Sequence, residues 1–449
     1  MQKTTLFHST ICAVQTQDSR RCTWALYTMA MIKIKHPQEL TRLRRLALSA
    51  QGLLQAQPYG RGLAGARKAI DHLGYVQVDT ISVVERAHHH VLYSRVPNFK
   101  PAMVNKMLLN GDIFEYWSHA AAFLPVDDFR FSLPYKHAIK SGQTHWYKNP
   151  DKKLMGELLA RITLDGPLRS RDLTSNSEKS AKREGWWDWK PAKKALEQLY
   201  MQGDLMVSDR SGFQKSYDLT ERVLPSHVKT HMPSIEEFAT HLLDQQLRCH
   251  GLVTLKGLTY LRRNATLRKT VKALVSERLA QGSLEQIQLS SGEEFILEAG
   301  VFAQALPRQS NRLLILSPFD NSVIQRERLK TLFQYDYQIE CYVPAAKRQY
   351  GYFCLPLMYR GEFIGRMDCK AHRKDRLLEI KSLHLEPRYF NDGAVSSKFA
   401  DEIESDLESA LVEAIAQFSH FQACDSVSLT KAYPKTLTQP LRSALKHLA

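Results

Sequence analysis

The sequence lacks the features that stabilise an extracellular protein or anchor a chain in a membrane. Its seven cysteines, at positions 12, 22, 249, 341, 354, 369 and 424, are scattered and form no Cys-x-x-Cys pair. This spacing argues against a zinc site and against a disulfide framework, and is typical of reduced thiols in the cytoplasm. No apolar run is long enough to span a bilayer, and residues 1–30 have no continuous apolar centre such as a secretory signal needs. We therefore expect a cytoplasmic protein with no membrane partner.

Acidic residues are also fewer than basic residues. The chain of 449 residues has 62 Lys and Arg against 46 Asp and Glu, a formal charge of +16. Such an excess favours a polyanionic partner. An apolar content of 43% and a charged content of 24% are those of an ordinary folded chain, and the length predicts several domains.

One local pattern occurs three times. "MLLNGDIFEY" (107–116), "LYMQGDLMVS" (199–208) and "RLAQGSLEQI" (278–287) each end a helix-like stretch at a Gly and then begin a strand. Glycine suits the left-handed turn that ends a helix. In the second and third copies a hairpin follows, with turns at 211–212 and 291–292. Helix, Gly, strand, turn and strand is typical of a winged helix, so we predict three tandem winged-helix units.

The last third of the chain differs in composition. Residues 310–388 are rich in β-branched and aromatic residues, and a helix over 396–421 is predicted from the spacing of Ile403, Leu407, Leu411 and Ile415. The predicted fold class is α+β: three tandem winged-helix units, then a small C-terminal antiparallel β-barrel or sheet domain and a terminal helix. The predicted boundaries are 1–31 (unstructured or spurious extension), 32–128, 129–228 and 229–308 (units 1 to 3), 309–421 (β domain with helix) and 422–449 (loose tail).

Basic residues cluster where a winged helix would meet DNA. Residues 251–279 carry seven Lys or Arg against the single acid Glu277. Phosphate contacts of this kind position a protein on a duplex without reading its sequence. Protein–protein scaffolding, or a merely solvated charged face, is the alternative. The candidate DNA-binding residues are Arg210, Lys215, Arg262, Arg263, Arg268, Lys269, Lys347 and Arg348.

A polar pair stands in the apolar segment "GYVQVDTISVVERAHHH" (74–90). The alternation of "YVQVDT" points Gln77 and Asp79 to one face of an extended backbone. Ser82 and Glu85 have the spacing of a capping box, which predicts a helix start just after Asp79 and a helix dipole that favours the ionised carboxylate. An amide and a carboxylate so placed can position a water molecule and take its proton. The alternative is that Asp79 is only a helix-start residue and Gln77 a strand polar residue.

From about residue 36 to 420 the sequence resembles the YcaQ-like (AlkX/AlkZ) winged-helix DNA glycosylases. The resemblance rests on "QVDTISVVERAHHHVLYSRV", "FEYWSHAAAFLP", "GWWDWKPAKKALEQL", "YDLTERVLP", "LSPFDN", "CYVPAAKRQYGYFCLPL" and "GRMDCKAHR", in this order. It implies three winged-helix units and a C-terminal β-barrel, in agreement with the repeats. The family has a catalytic Gln-apolar-Gln or Gln-apolar-Asp motif. Gln77-Val78-Asp79 matches the second form, that of the AlkX/YcaQ branch.

The resemblance also implies a function. That branch is associated with excision of N7-alkylated purines and unhooking of alkyl interstrand crosslinks. The sequence gives no evidence for a Schiff-base lysine, so we predict a monofunctional glycosylase that does not cleave the strand. No metal or organic cofactor is implied. Tyr116, Trp117 and His119 match the family's Tyr-Trp-x-His pattern and are possible site-lining residues, although His119 could equally be a core histidine. We expect a monomer on damaged double-stranded DNA, associated with the nucleoid. A winged-helix transcription regulator and a non-catalytic DNA-binding protein are the alternatives.

Overall fold

A computed structural model of the protein describes residues 31–173, 189–387 and 400–446. The predicted extension 1–31 lies outside these residues except for Met31. The helices are α1 Pro37–Ala50, α2 Gly62–Leu73, α3 Ala87–Tyr93, α4 Ala102–Leu109, α5 Leu133–Lys140, α6 Lys152–Asp165, α7 Trp189–Met201, α8 Thr220–Val223, α9 Ile235–His250, α10 Leu255–Leu258, α11 Ala265–Ala280, α12 Asn321–Ile324, α13 Arg326–Phe333, α14 Ala400–Phe421 and α15 Thr438–Lys446. None of the described helices is long and apolar enough to cross a membrane.

The strands make the chain a mixed α+β protein. They are β1 Ile32–Lys33, β2 Val76–Gln77, β3 Ile113–Trp117, β4 Ala121–Pro125, β5 Leu168–Arg169, β6 Leu205–Ser211, β7 Gln214–Leu219, β8 Leu284–Gln288, β9 Glu294–Glu298, β10 Leu314–Ile315, β11 Cys354–Tyr359, β12 Glu362–His372, β13 Leu377–Leu385, β14 Ser426–Leu429 and β15 Ala432–Tyr433. Three small sheets have the orders β2-β4-β3, β5-β7-β6 and β1-β8-β9, and the fourth sheet has six strands.

Each copy of the sequence repeat forms a helix, a left-handed glycine and a hairpin. Gly111, Gly203 and Gly282 have φ values of 70°, 91° and 71°, so the predicted left-handed turns are confirmed. The hairpins are β3–β4, β6–β7 and β8–β9. The first hairpin escaped prediction because its turn, residues 118–120, is Ser-His-Ala and carries no Gly, Asn or Pro signal.

The N-terminal elements do not lie where the predicted boundary of unit 1 puts them. β1 pairs in parallel with β8 of the third small sheet. In α1, Leu43, Leu46 and Leu48 are buried in a cluster with residues of the third hairpin and of α13. The described part of the chain therefore begins against the third repeat, and the first repeat starts structurally near α2.

The C-terminal domain is an open sheet, one of the two predicted forms, and a closed barrel is not found in the described residues. Its strand order is β10-β11-β12-β13-β14, with β15 also paired to β13. Pairing is antiparallel from β10 to β13, but β14 and β15 run parallel to β13. The physical reason is the connection: α14 carries the chain back across the sheet, as parallel strands require. The predicted helix is present as α14, and Leu407, Leu411 and Ile415 are buried.

The tail after residue 422 is folded, contrary to the prediction of a loose segment. It supplies β14, β15 and α15. Leu437, Leu441 and Leu445 are buried against the C-terminal sheet, with exposed fractions of 5%, 0% and 2%. Their spacing of four residues is the apolar periodicity of a helix. This periodicity is present in the sequence and predicts a helix rather than a loose segment.

Candidate active site

Gln77 ends strand β2, and the backbone remains extended past it. The N–H of Val78 donates to the carbonyl of Ala121 at 2.8 Å, which continues the pairing of β2 with β4. Val76 and Val78 are both buried in the apolar cluster of the first repeat. Because strand side chains alternate, Gln77 and Asp79 share the opposite face. Gln77 is 7% exposed, and Asp79 is half-buried.

Asp79 does not precede a helix, so the predicted capping box is wrong. Helix α3 begins at Ala87, and residues 79–86 are irregular. The Asp79 Oδ1 atom instead accepts a hydrogen bond from the N–H of Ile81 at 2.7 Å. Glu85 accepts from His89 Nδ1 at 2.9 Å rather than reaching back to Ser82. Burial raises the pKa of Asp79 above its ordinary value, and the single N–H bond only partly opposes it.

The first hairpin brings His119 onto Gln77. His119 lies in the β3–β4 turn, and its Nε2 atom is 3.1 Å from Gln77 Oε1. The imidazole packs edge-on against the rings of Tyr75 and Tyr260, with centroids 5.1 and 5.6 Å away. Burial, and secondarily the charge of Arg262, lowers the pKa of His119 to about 4, so the ring is neutral at neutral pH. Its N–H therefore donates to the Gln77 carbonyl and leaves the Gln77 amide N–H groups free for a substrate or a water molecule.

A small polar cavity adjoins His119, and Arg262 lines it. The lining includes Tyr75, Ser118, His119, Gln245, Gln246, Gly257, Tyr260, Arg262 and Gln325. Burial lowers the pKa of Arg262 to about 10, and the one group that opposes this shift is Tyr75 rather than a carboxylate. The guanidinium packs over Phe238 at 5.4 Å. A cation held in this way suits a phosphate.

The loop that follows Glu340 lies close to Asp79. Ile81, which donates its N–H to the Asp79 carboxylate, packs against the same apolar cluster as Ile339 and Tyr352, which flank the loop. The Asp79 carboxylate contributes to raising the pKa of Cys341 and of Tyr342, after burial of each group. Lys347 of this loop is exposed. The structure therefore brings a residue from position 79 together with a loop some 260 residues later in the chain.

A buried polar network binds the backbone just before strand β2, and it was not predicted from the sequence. Arg95 forms a bidentate ion pair with Asp320, with distances of 2.6 and 2.8 Å, and both side chains are 0% exposed. Burial disfavours the charge on Asp320, but Arg95 outweighs it and keeps the pKa of that carboxyl low. Asn321 Nδ2 donates to the carbonyl of Tyr75 at 3.1 Å, two residues before Gln77. The one sequence signal was the stretch "LSPFDN", which carries both Asp320 and Asn321.

The other predicted site-lining residues pack inside the protein. The Tyr116 hydroxyl donates to the carbonyl of Met201 at 2.6 Å, and its side chain is 1% exposed. The Trp117 ring meets Trp146 edge-on at 5.0 Å. Of the Tyr-Trp-x-His pattern, the structure brings only His119 into contact with Gln77.

The two cations of the second hairpin, Arg210 and Lys215, bind a buried acid inside the protein. This does not fit the prediction that they contact DNA. Arg210 donates to both carboxylate oxygens of Glu115 at 2.6 and 2.8 Å, and Lys215 lies 3.0 Å from the same group. The Arg210 side chain is 9% exposed and that of Glu115 is 0% exposed. These cations neutralise a buried acid and have little surface left for a phosphate.

The remaining predicted cations are accessible. Arg263, just before α11, is exposed, as are Arg268 and Lys269 near the start of that helix. Lys347, in the loop that follows Glu340, is also exposed. Arg268 Nε donates to the carbonyl of Arg262 at 2.8 Å and so fixes the backbone beside the cavity. Arg348 is half-buried and supports the loop that carries it.

Two comparisons relate the chain to known proteins. The DNA glycosylase AlkZ-like family model matches residues 70–421, more than half of the chain. The chain belongs to this family. The solved structure of Streptomyces sahachiroi DNA glycosylase AlkZ is similar, with a TM-score of 0.54 and 14% sequence identity over 88% of this chain and 100% of that one. At this identity the likeness shows the fold alone.

Membership in the DNA glycosylase AlkZ-like family decides between the alternatives left by the sequence. The protein is an enzyme, a DNA glycosylase of DNA repair, and its substrate is DNA. A transcription regulator or a non-catalytic binder does not fit this family.

Proposed function

We propose that the protein is a monofunctional glycosylase that releases cationic N7-alkylated purines and unhooks alkyl interstrand crosslinks. The observation that carries the proposal is the hydrogen bond between His119 and Gln77 on the face shared with Asp79. This bond uses the carbonyl oxygen of Gln77 and leaves its amide N–H groups to hold a water molecule. In this view the chain follows the Gln-apolar-Asp pattern of the AlkX/YcaQ branch.

The chemistry of the substrate matches this set of residues. A purine alkylated at N7 carries a positive charge and is already a good leaving group, so the enzyme needs no strong general acid. The harder task is to stabilise an oxocarbenium-like sugar and to deliver water. Asp79 supplies the negative charge and accepts the proton of the water, and Gln77 holds that water through its amide. Burial, which raises the pKa of Asp79, makes it a better base than an exposed aspartate.

The expected product is an abasic site in an intact strand. None of the contacts described for Gln77, Asp79 and His119 involves a lysine amine that could form a Schiff base. Hydrolysis by an activated water is therefore the proposed route. Neutral adducts, which need protonation of the leaving group, should be poor substrates.

We propose that the three repeats are winged-helix units, that DNA contacts the first and third of them, and that a monomer suffices. The proposed phosphate contacts are four exposed cations and the partly buried Arg262: Arg263, Arg268, Lys269 and Lys347 are the exposed ones. Arg262 lines the cavity beside His119. The acidic tip of the third hairpin, with Glu293 and Glu294 exposed, faces away from DNA in this arrangement.

The test is single-turnover base release from a duplex with one N7-methylguanine and unhooking of a nitrogen-mustard crosslink. We expect Asp79→Asn to lower both rates by about 100-fold or more, and Gln77→Ala by a smaller factor. Binding to undamaged DNA should not change. Asp165→Asn, at a carboxylate that is 70% exposed at the end of α6, is the matched control and should behave as wild type.

Three outcomes would contradict parts of the proposal. If wild type releases neither lesion, the proposed substrate class is wrong. If Asp79→Asn remains as active as Asp165→Asn, the role of Asp79 is wrong. If the product strand is cleaved without added base, the enzyme is not monofunctional.

A further inference from the structure

An exposed aromatic ring stands next to the proposed catalytic carboxylate. Tyr342 is 78% exposed, the most exposed aromatic among the large apolar residues described. The apolar cluster that contacts Ile81 and both ends of the loop carrying Tyr342 places the ring near Asp79. The Asp79 charge contributes to raising the pKa of the Tyr342 hydroxyl, after burial and the neighbouring Cys341. An exposed aromatic ring beside a site for DNA is able to stack on a base.

The loop that carries Tyr342 is ordered before any substrate binds. The Glu340 carboxylate accepts hydrogen bonds from the backbone N–H groups of Gln349, Tyr350 and Gly351 at 2.7, 2.8 and 3.1 Å, which joins the two ends of the loop. Burial opposes the charge on Glu340, but these three N–H groups outweigh it and hold the pKa of the carboxyl low.

Arg348 fixes the middle of the same loop. Its Nε atom donates to the carbonyl of Val343 at 2.8 Å, immediately after Tyr342, and its guanidinium packs over Tyr352 at 4.9 Å. Because the backbone on both sides of Tyr342 is fixed, placing the ring in a binding partner loses little conformational entropy. Exposed Lys347 on the same loop suits a phosphate.

We propose that Tyr342 inserts into the duplex beside the lesion and stacks on the neighbouring base pair. This inference rests on the proposed function, since it places the lesion at Asp79. A base tethered to the opposite strand by a crosslink is difficult to rotate out of the helix, so the duplex must be opened where the lesion lies. A ring wedged between two base steps holds such an opening, and base–aromatic stacking compensates for the stacking that is lost.

The first measurement is of DNA distortion, independent of catalysis. A duplex carries a hydrolysis-resistant 2′-fluoro N7-methylguanosine, with 2-aminopurine on the opposite strand in the adjacent pair. Binding of wild type and of Tyr342→Phe should raise the 2-aminopurine fluorescence, because the fluorophore loses a stacking neighbour. Tyr342→Ala should bind without that rise. Leu164→Ala removes an apolar side chain that is 84% exposed on α6, far along the chain from the site residues, and should match wild type.

The second measurement compares base release from two substrates. In a fully paired duplex we expect Tyr342→Ala to lower the single-turnover rate by about 10- to 100-fold, and Tyr342→Phe by less than about 2-fold. When the lesion pair and its neighbour are mismatched, the step is already open and the deficit should shrink several-fold. A variant that is merely misfolded would lose rate equally on both substrates.

The outcomes separate this inference from the proposed function. Equal fluorescence changes for wild type and Tyr342→Ala would overturn the insertion of Tyr342, whatever the rates of base release. So would the absence of any change with wild type. If only Tyr342→Ala fails to raise the fluorescence on binding, insertion is supported even if N7-methylguanine is not released. In that case only the proposed substrate is wrong.

Discussion

The first and second hairpins arise from the same sequence pattern, yet they have opposite uses. The turn of the first hairpin places His119 on Gln77, where it can orient a reacting group. The turn of the second places Phe213 between two guanidiniums, those of Arg86 and Arg210, at 3.8 and 4.3 Å from the ring centroid. One tip forms part of the proposed active site, and the other joins two repeats.

The difference shows that the role of a hairpin depends on what its tip meets. Glu115, on strand β3 of the first hairpin, is the acid that binds Arg210 and Lys215 of the second. The second hairpin thereby fixes the strand that leads to His119. Substitutions at the contact between the two hairpins should therefore change stability, and substitutions at the turn of the first hairpin should change catalysis.

The largest expected effect is on the buried pair between the hairpins. Glu115→Gln leaves Arg210 and Lys215 without their counter-charge in a buried place, and we expect a loss of about 3–5 kcal/mol of unfolding free energy. Urea unfolding measures it. The matched control is Glu327→Gln, which breaks a pair with Lys256 whose side chains are 77% and 79% exposed, and should cost less than about 1 kcal/mol. Equal losses in the two variants would show that the contact between hairpins contributes nothing particular.

The same pair predicts an acid transition. Burial alone would raise the pKa of Glu115, but Lys215 and Arg210 lower it to about 2 from an ordinary value of 4.5. A carboxyl with a lowered pKa in the folded state contributes stability above its ordinary value, and that stability is lost as the pH falls toward 2. Wild type should therefore lose its advantage over Glu115→Gln across this range. A constant difference between the two proteins down to pH 2 would contradict the assignment.

Sequence reasoning recovered the repeats because they are local. A glycine after a helix, followed by an apolar residue, reports a left-handed turn, and all three of these turns are present. It missed the folded tail, where the apolar spacing of Leu437, Leu441 and Leu445 was visible but was not weighed. It also predicted a helix start at Ser82 from a spacing that the irregular segment 79–86 does not use.

The candidate site was only half predictable for a different reason. Gln77 and Asp79 stand together in the sequence, and the resemblance to a glycosylase family singled them out. Whether a basic residue faces DNA or a buried acid depends on long-range contacts, so Arg210 and Arg262 looked alike in the sequence. The first binds Glu115, and the second lines the cavity beside His119. No periodicity encodes that difference.

Two single substitutions, one at each hairpin tip, test whether the first tip acts in catalysis and the second in stability. His119→Phe keeps an aromatic ring against Tyr75 and Tyr260 but removes the hydrogen bond to Gln77, and we expect base release to fall about 10-fold. Phe213→Leu removes two cation–π contacts and should cost about 1–2 kcal/mol of stability with little change in rate, measured where both proteins are fully folded. A rate loss confined to Phe213→Leu would reverse the roles assigned to the two hairpins.

The smallest effect concerns stability at the site itself. Because burial raises the pKa of Asp79, its ionised form is disfavoured in the folded protein relative to the unfolded chain. The sign is therefore opposite to that of Glu115: folding loses stability as the pH rises through the range where Asp79 ionises.

Asp79→Asn keeps an oxygen for the Ile81 N–H but removes the charge. At neutral pH its unfolding free energy should therefore match that of wild type or exceed it by about 0.5 kcal/mol. The difference should disappear toward pH 3, where both side chains are neutral. A large destabilisation at neutral pH would mean that the Asp79 carboxylate is a structural group, whereas a loss of base release with unchanged or improved stability is the behaviour of a residue retained for catalysis.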